Sequence, residues 1–179
     1  MMRKPTGYLV GAVLLGALAV LAPAQEEAKS HDALAMARAK AGAENQRVLL
    51  LLSGGDAAVE SALTSALSNY RQLGKLLKYE YQLTAQPASA VAGRALRDAL
   101  GLSDLTLPTL AVLTTANEVV GRLGADEMIA GDAFDPERVK AFLHKHECEP
   151  VRAQEVLSRG MAAAKGSDRH VLLYLSAPW

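Results

Sequence analysis

Five consecutive aliphatic residues, Val48 to Leu52, constrain this chain more than any other stretch. The run is too short to stand as a free helix and has no polar face to offer water. It is the pattern of a strand covered on both sides. Ser53-Gly54-Gly55-Asp56 comes next as a turn.

The flanking segments supply the cover. His31 to Ala43, with Leu34, Ala37 and Ala41 on one side, reads as a helix, broken by Gly42 and Glu44-Asn45-Gln46. Asp56 is placed to cap a second helix through Val59, Leu63, Leu67 and Tyr70, reaching toward Leu77. Tyr79 to Leu83 alternates as a strand does. Pro87 to Leu100 sets Val91, Ala95, Leu96, Ala99 and Leu100 on one helical face, and Gly101 stops it. Leu107-Pro108-Thr109 leads into a strand from Leu110 to Leu113. Asn117 marks a turn, and Glu118 to Leu123 returns as a strand. Asp135-Pro136 pairs an N-cap with proline at the first helical position, ahead of Val139, Phe142, Leu143 and His146 at i, i+3, i+4 and i+7. The order α-β-α-β-α-β-β-α describes an α/β sandwich about a central mixed sheet.

The N-terminus has a different character. Arg3 and Lys4 precede an apolar run of about fifteen residues, Tyr8 to Ala22, which suits a secretory leader and is short for a membrane span. Ala22-Pro23-Ala24 has the form of a cleavage site, so residues 1–24 read as a signal peptide and Gln25 as the start of the mature chain. That implies a periplasmic or secreted protein with no stable membrane span after cleavage; an uncleaved anchor is the alternative. No cysteine stands at the cleavage point, which argues against a lipid anchor. Removing Arg3 and Lys4 leaves 17 basic against 19 acidic residues. No basic run could track a nucleic acid, and none is expected as a partner. The single cysteine, Cys148, cannot form an internal disulfide.

The element order, with "LPTLAVL" after the third helix and "NEVVGRLG" behind it, resembles the thioredoxin fold over roughly Ser30 to Glu149. The resemblance implies that the Leu107–Pro108 bond is cis and that the backbone before Pro108 faces the redox disulfide. It also marks Leu107 and Pro108 as candidate substrate-binding residues; a simple structural turn is the other reading. No cofactor is implied.

A shift of 123 residues lays the end of the chain on its beginning: "RVLLLLSGGD" (Arg47 to Asp56) falls on "HVLLYLSAPW" (His170 to Trp179). Val48, Leu49, Leu50, Leu52 and Ser53 match Val171, Leu172, Leu173, Leu175 and Ser176. Upstream, Leu34, Ala39 and Ala41 match Leu157, Ala162 and Ala164. The spacing equals one thioredoxin-like domain, so residues 31–150 read as a first, degenerate unit and residues 151–179 as the truncated start of a second, a helix plus a strand. A lone buried-type strand lacks partners for its backbone groups. That strand must stay loose, pair with a sheet edge or dock on another chain.

"LLYLSAPW" is similar to the segment that leads into Cys-x-x-Cys in thioredoxin-like redox proteins, where the tryptophan precedes the first cysteine. Trp179 is thereby a third candidate substrate-binding residue; an ordinary loop with an aromatic tail is the alternative. The reactive cysteine, or a selenocysteine whose codon is read as a stop, is expected immediately after Trp179. A nonsense change, a sequencing error or a fragment end explains the same ending. In the first unit the same register puts Ala57 and Glu60 where the family has its cysteines, and neither exchanges disulfides.

"HKHECEP" suggests a metal site, but His144, His146 and Cys148 are spaced i, i+2, i+4, which turns His146 away from the other two on a helix. No metal is expected; Cys148 reads as an exposed, reactive thiol at the domain junction. Two functions fit these features. One is an exported tandem protein whose completed second domain carries out thiol–disulfide exchange on protein or peptide thiols and disulfides, the chain as given being redox-inactive. The other is a non-enzymatic thioredoxin-like interaction or scaffold module.

Overall fold

The computed structural model describes residues 33–167 and 169–172. The expected signal peptide, the opening of the first helix at His31 and the segment from Leu173 to Trp179 lie outside the described residues.

Helix α1 (33–44) leads into β1 (Arg47–Ser53). The other strands of the sheet are β2 (Tyr81–Pro87), β3 (Thr109–Leu113) and β4 (Val119–Leu123), in spatial order β2-β1-β3-β4. β2 runs parallel to β1, β3 antiparallel to β1, and β4 antiparallel to β3. The aliphatic run is therefore central, and its alternation serves two layers. Leu49 and Leu51, with Leu110 and Val112, face one core; Val48, Leu50 and Leu52, with Ala111 and Leu113, face the other. Helix α1 contributes Leu34 and Ala41 to the second core. Burying one such leucine contributes roughly 2 kcal/mol, which makes β1 and β3 the strongest single determinants of the fold.

Helix α2 (Ala57–Ser68) covers the first core with Leu63, Ala66 and Leu67 and also buries Val59. It does not run straight on toward Leu77. Asn69 leaves the helical region, and its carbonyl accepts from the N–H groups of Gln72, Leu73 and Gly74. The chain then passes through a π-helical turn (Tyr70–Gly74) into α3 (Lys75–Glu80). The inserted turn keeps both Leu73 and Leu77 buried. Tyr79 and Glu80 are therefore helical, and the strand expected from Tyr79 begins at Tyr81. The Gln46 side-chain amide donates to the carbonyls of Lys78 (3.2 Å) and Tyr79 (2.9 Å), satisfying the end of α3.

The third expected helix is α4 (Val91–Ala99), and its buried face is rotated from the one the hydrophobic pattern suggests. Gly93 is buried and Leu96 and Leu100 pack on the second core, while Val91, Ala95 and Ala99 face outward. The cause is steric. A β-carbon on Gly93 would overlap the Pro87 carbonyl oxygen, so only this side of the helix can approach the end of β2 so closely. Beyond β4 come a 3-10 turn (Ala125–Met128) and a small hairpin, β5 (Ile129–Ala130) with β6 (Ala133–Phe134), neither marked by a periodic pattern. In α5 (Pro136–Lys145) the Asp135 side chain accepts from Glu137 N at 2.9 Å, and Val139 and Leu143 are buried.

Helix α6 (Ala153–Lys165) buries no residue. The strand expected from Val171 does not begin at Val171 or Leu172, which are 42% and 92% exposed. The rest of that strand lies outside the described residues.

Candidate functional site

The loop after β1 and the loop before β3 meet at one end of the sheet because β1 and β3 are adjacent and antiparallel, with Leu52 opposite Thr109. The Leu107–Pro108 peptide bond is cis, as the resemblance implies, and Pro108 and Thr109 are buried. The Thr109 hydroxyl donates to the Thr106 carbonyl at 2.9 Å and ties the loop to the strand it opens.

Gly55 approaches Leu107 so closely that a β-carbon there would overlap the Leu107 carbonyl oxygen, and its φ is +82°. Both facts require glycine. Asp56 then starts α2, accepting from Ala58 N (2.8 Å) and Val59 N (3.2 Å). Ala57 is exposed, in the first turn, where an exchanging thiol would be activated by the helix N-terminus. Glu60, one turn on, turns its carboxylate back onto the Gly54 N–H at 2.9 Å. The position that the resemblance gives to a second cysteine is thus filled by a group that locks the preceding loop. Neither position carries a thiol.

Leu107 and Pro108 are brought together with this loop; Trp179 lies outside the described residues. Cys148 is partly exposed, and its thiol donates to Asn45 Oδ1 at 3.7 Å, while Asn45 Nδ2 donates to the Glu149 carbonyl at 3.1 Å. A link between Asn45 after α1 and the segment after α5 holds the cysteine against the body of the domain.

His144, His146 and Cys148 diverge. His144 Nδ1 lies 2.5 Å from Glu147 Oε1, whereas His146 is the C-cap of α5. The His146 ring lies 4.9 Å from that of Phe142 and against Gly121 of β4, where a β-carbon would come within 2.7 Å of Cδ2. Burial, then the charges of Lys145 and Arg47, lower its pKa below the ordinary histidine value. The i, i+4 stripe already carried His146, but the glycine that makes room for it is far away in sequence. Among the described residues no group of three His, Cys, Asp or Glu side chains could hold a metal ion.

Two carboxylates of the turn after β4 have structural partners: Asp126 accepts from the Thr106 hydroxyl, and Glu127 accepts from Gly124 N at 3.0 Å. The first of these bonds joins the turn after β4 to the loop that precedes Leu107. The Thr106 bond lowers the pKa of Asp126.

No protein-family model matches the chain, and no curated protein sequence matches it. Among solved structures, it is similar to the disulphide isomerase from Xylella fastidiosa Temecula1, with a TM-score of 0.54 and 16% identity over 65% of this chain and 89% of that one. With the sheet order and the helices on both faces, this likeness shows a thioredoxin-like fold.

Proposed function

We propose that residues 31–150 are the non-catalytic unit of an exported thiol–disulfide oxidoreductase built as a tandem, and that residues 151–179 open its second, catalytic unit. The observation that carries this reading is the occupancy of the exchange position: Ala57 and Glu60 stand at the capped start of α2, beside the Leu107 loop, on a thioredoxin-like scaffold. Exchange needs a thiolate nucleophile at the site, and neither Ala57 nor Glu60 supplies one, so this unit holds or positions while another reacts. In this reading Leu107 and Pro108, with Trp179 in the second unit, face a peptide substrate. The 123-residue repeat supports the second unit, and α6 falls where the register of α1 puts a helix.

The test is to read the DNA past codon 179. The tandem reading expects UGA or a cysteine codon at position 180, then a cysteine three positions on and a later strand-opening proline. The longer product should reduce an insulin-type disulfide, and the 179-residue chain should not. A different stop codon with no downstream frame, or an inactive longer product, overturns it.

One observation favours the other reading, a non-enzymatic interaction module. The Gly55 backbone covers the Leu107 carbonyl, which narrows the approach of a peptide to that loop. Under that reading the longer product is inactive but still binds a partner.

A further inference from the structure

Far from the Leu107 loop, beside the start of β2, the π-helical turn and α3 form one wall of a cleft and α5 with Glu147 the other, enclosing about 540 Å³. The cleft exists because Leu73 and Leu77 point into the core and leave the opposite side of the same segment unpacked. Arg71 and Lys75 line that side, and neither has an acidic partner within ion-pair distance among the described residues. Lys140, held 3.2 Å from Glu137, faces them from α5. Leu76 and the Tyr79 ring, 41% of that residue being exposed, give the lining its apolar part.

At the other end the charge reverses. Glu80 closes α3 beside Glu147, whose Oε1 lies 2.5 Å from His144 Nδ1; burial and then the Glu147 charge raise the Glu80 pKa, with His144 opposing. Two carboxylates share this partly buried corner with the His144 ring, and their mutual repulsion favours a further cation there. Lys75 and Glu80 are five residues apart on the helix, about 7.5 Å along its axis at 1.5 Å per residue. An extended chain spans roughly 3.3–3.6 Å per residue, so two or three residues bridge the poles.

We propose that this cleft binds a short zwitterionic peptide of two or three residues, with its carboxylate against Arg71 and Lys75, its ammonium against Glu80 and Glu147, and an apolar side chain over Leu76 and Tyr79. The cleft is separate from the proposed exchange site, and its test does not depend on that reading.

Calorimetric titration of the full chain with the tripeptide Ala-Leu-Ala tests it. Saturable binding is expected, weakened about tenfold by N-acetylation and about tenfold by C-amidation. The double variant Arg71→Ala/Lys75→Ala should bind the free and amidated peptides equally, and Glu80→Gln/Glu147→Gln should bind the free and acetylated peptides equally. No saturable binding overturns the proposal, as does equal binding of the doubly blocked peptide or sensitivity to only one blocked end. The blocked-peptide series on the unaltered chain decides the matter even if a variant fails to fold.

Discussion

Gly55 shows how a single residue fixes the site. Its positive φ and its contact with the Leu107 carbonyl leave no room for a side chain. Gly55→Ala should cost about 2 kcal/mol, read as a lowered midpoint in urea denaturation. His146 carries a pH dependence. Its folded pKa lies below the ordinary value of 6.5, so the unfolded chain takes up the proton first as pH falls. The stability it contributes is complete above that value and is lost as pH drops through the lower, folded one. Stability should therefore decline as pH falls through 6.5 and below, and His146→Gln should flatten the decline. Glu80 acts in the opposite sense in the more acidic range. Its folded pKa lies above the ordinary 4.5, so its penalty is present at neutral pH and disappears as the carboxyl is protonated. Tyr81 is buried, and its hydroxyl donates to the Leu143 carbonyl at 2.5 Å; burial raises its pKa. Tyr81→Phe should cost about 1 kcal/mol, measured in the same urea titration. None of these pairings is local, and no pattern in the sequence pairs Gly55 with Leu107 or Gly121 with His146.

Among the elements, those built on local chemistry were readable and those set by distant contact were not. Asp56 and Asp135 cap α2 and α5 as their positions suggest, because an N-cap needs only the side chain and the next turn's N–H groups. Asp56→Ala should destabilise the domain by about 1 kcal/mol, with the loss visible in the thermal midpoint. The break at Asn69 was not readable. Hydrophobic spacing continues from Leu67 to Leu77, and the π-helical turn absorbs the offset needed to bury both Leu73 and Leu77. The rotation of α4 was hidden for a similar reason. Its apolar stripe includes Val91, but the close approach of Gly93 to the Pro87 carbonyl turns Val91, Ala95 and Ala99 outward. The start of β2 shifted by two residues because α3 gains two side-chain hydrogen bonds from Gln46.

At the scale of the whole molecule, two cores lie on one sheet, and neither contains a residue of α6. Residues 151–167 contribute no buried side chain, so deleting residues 151–179 should change the stability of the remaining domain in urea by less than about 0.5 kcal/mol. A larger loss would mean that α6 belongs to the first unit, against the tandem reading. The likeness to a disulphide isomerase extends to the fold, and the positions that the resemblance gives to cysteines hold Ala57 and Glu60. By itself the sequence determined the central strands, the helix caps, the order of the main elements and the absence of cysteine at positions 57 and 60. Runs of buried aliphatic residues have no stable alternative, and caps and nucleophiles are properties of a few adjacent residues. Only the tertiary structure decided which face of α4 is buried, where α2 breaks, what covers Leu107 and which charges line the cleft beside α5. Each of those depends on atoms that meet only after the sheet has brought distant segments together.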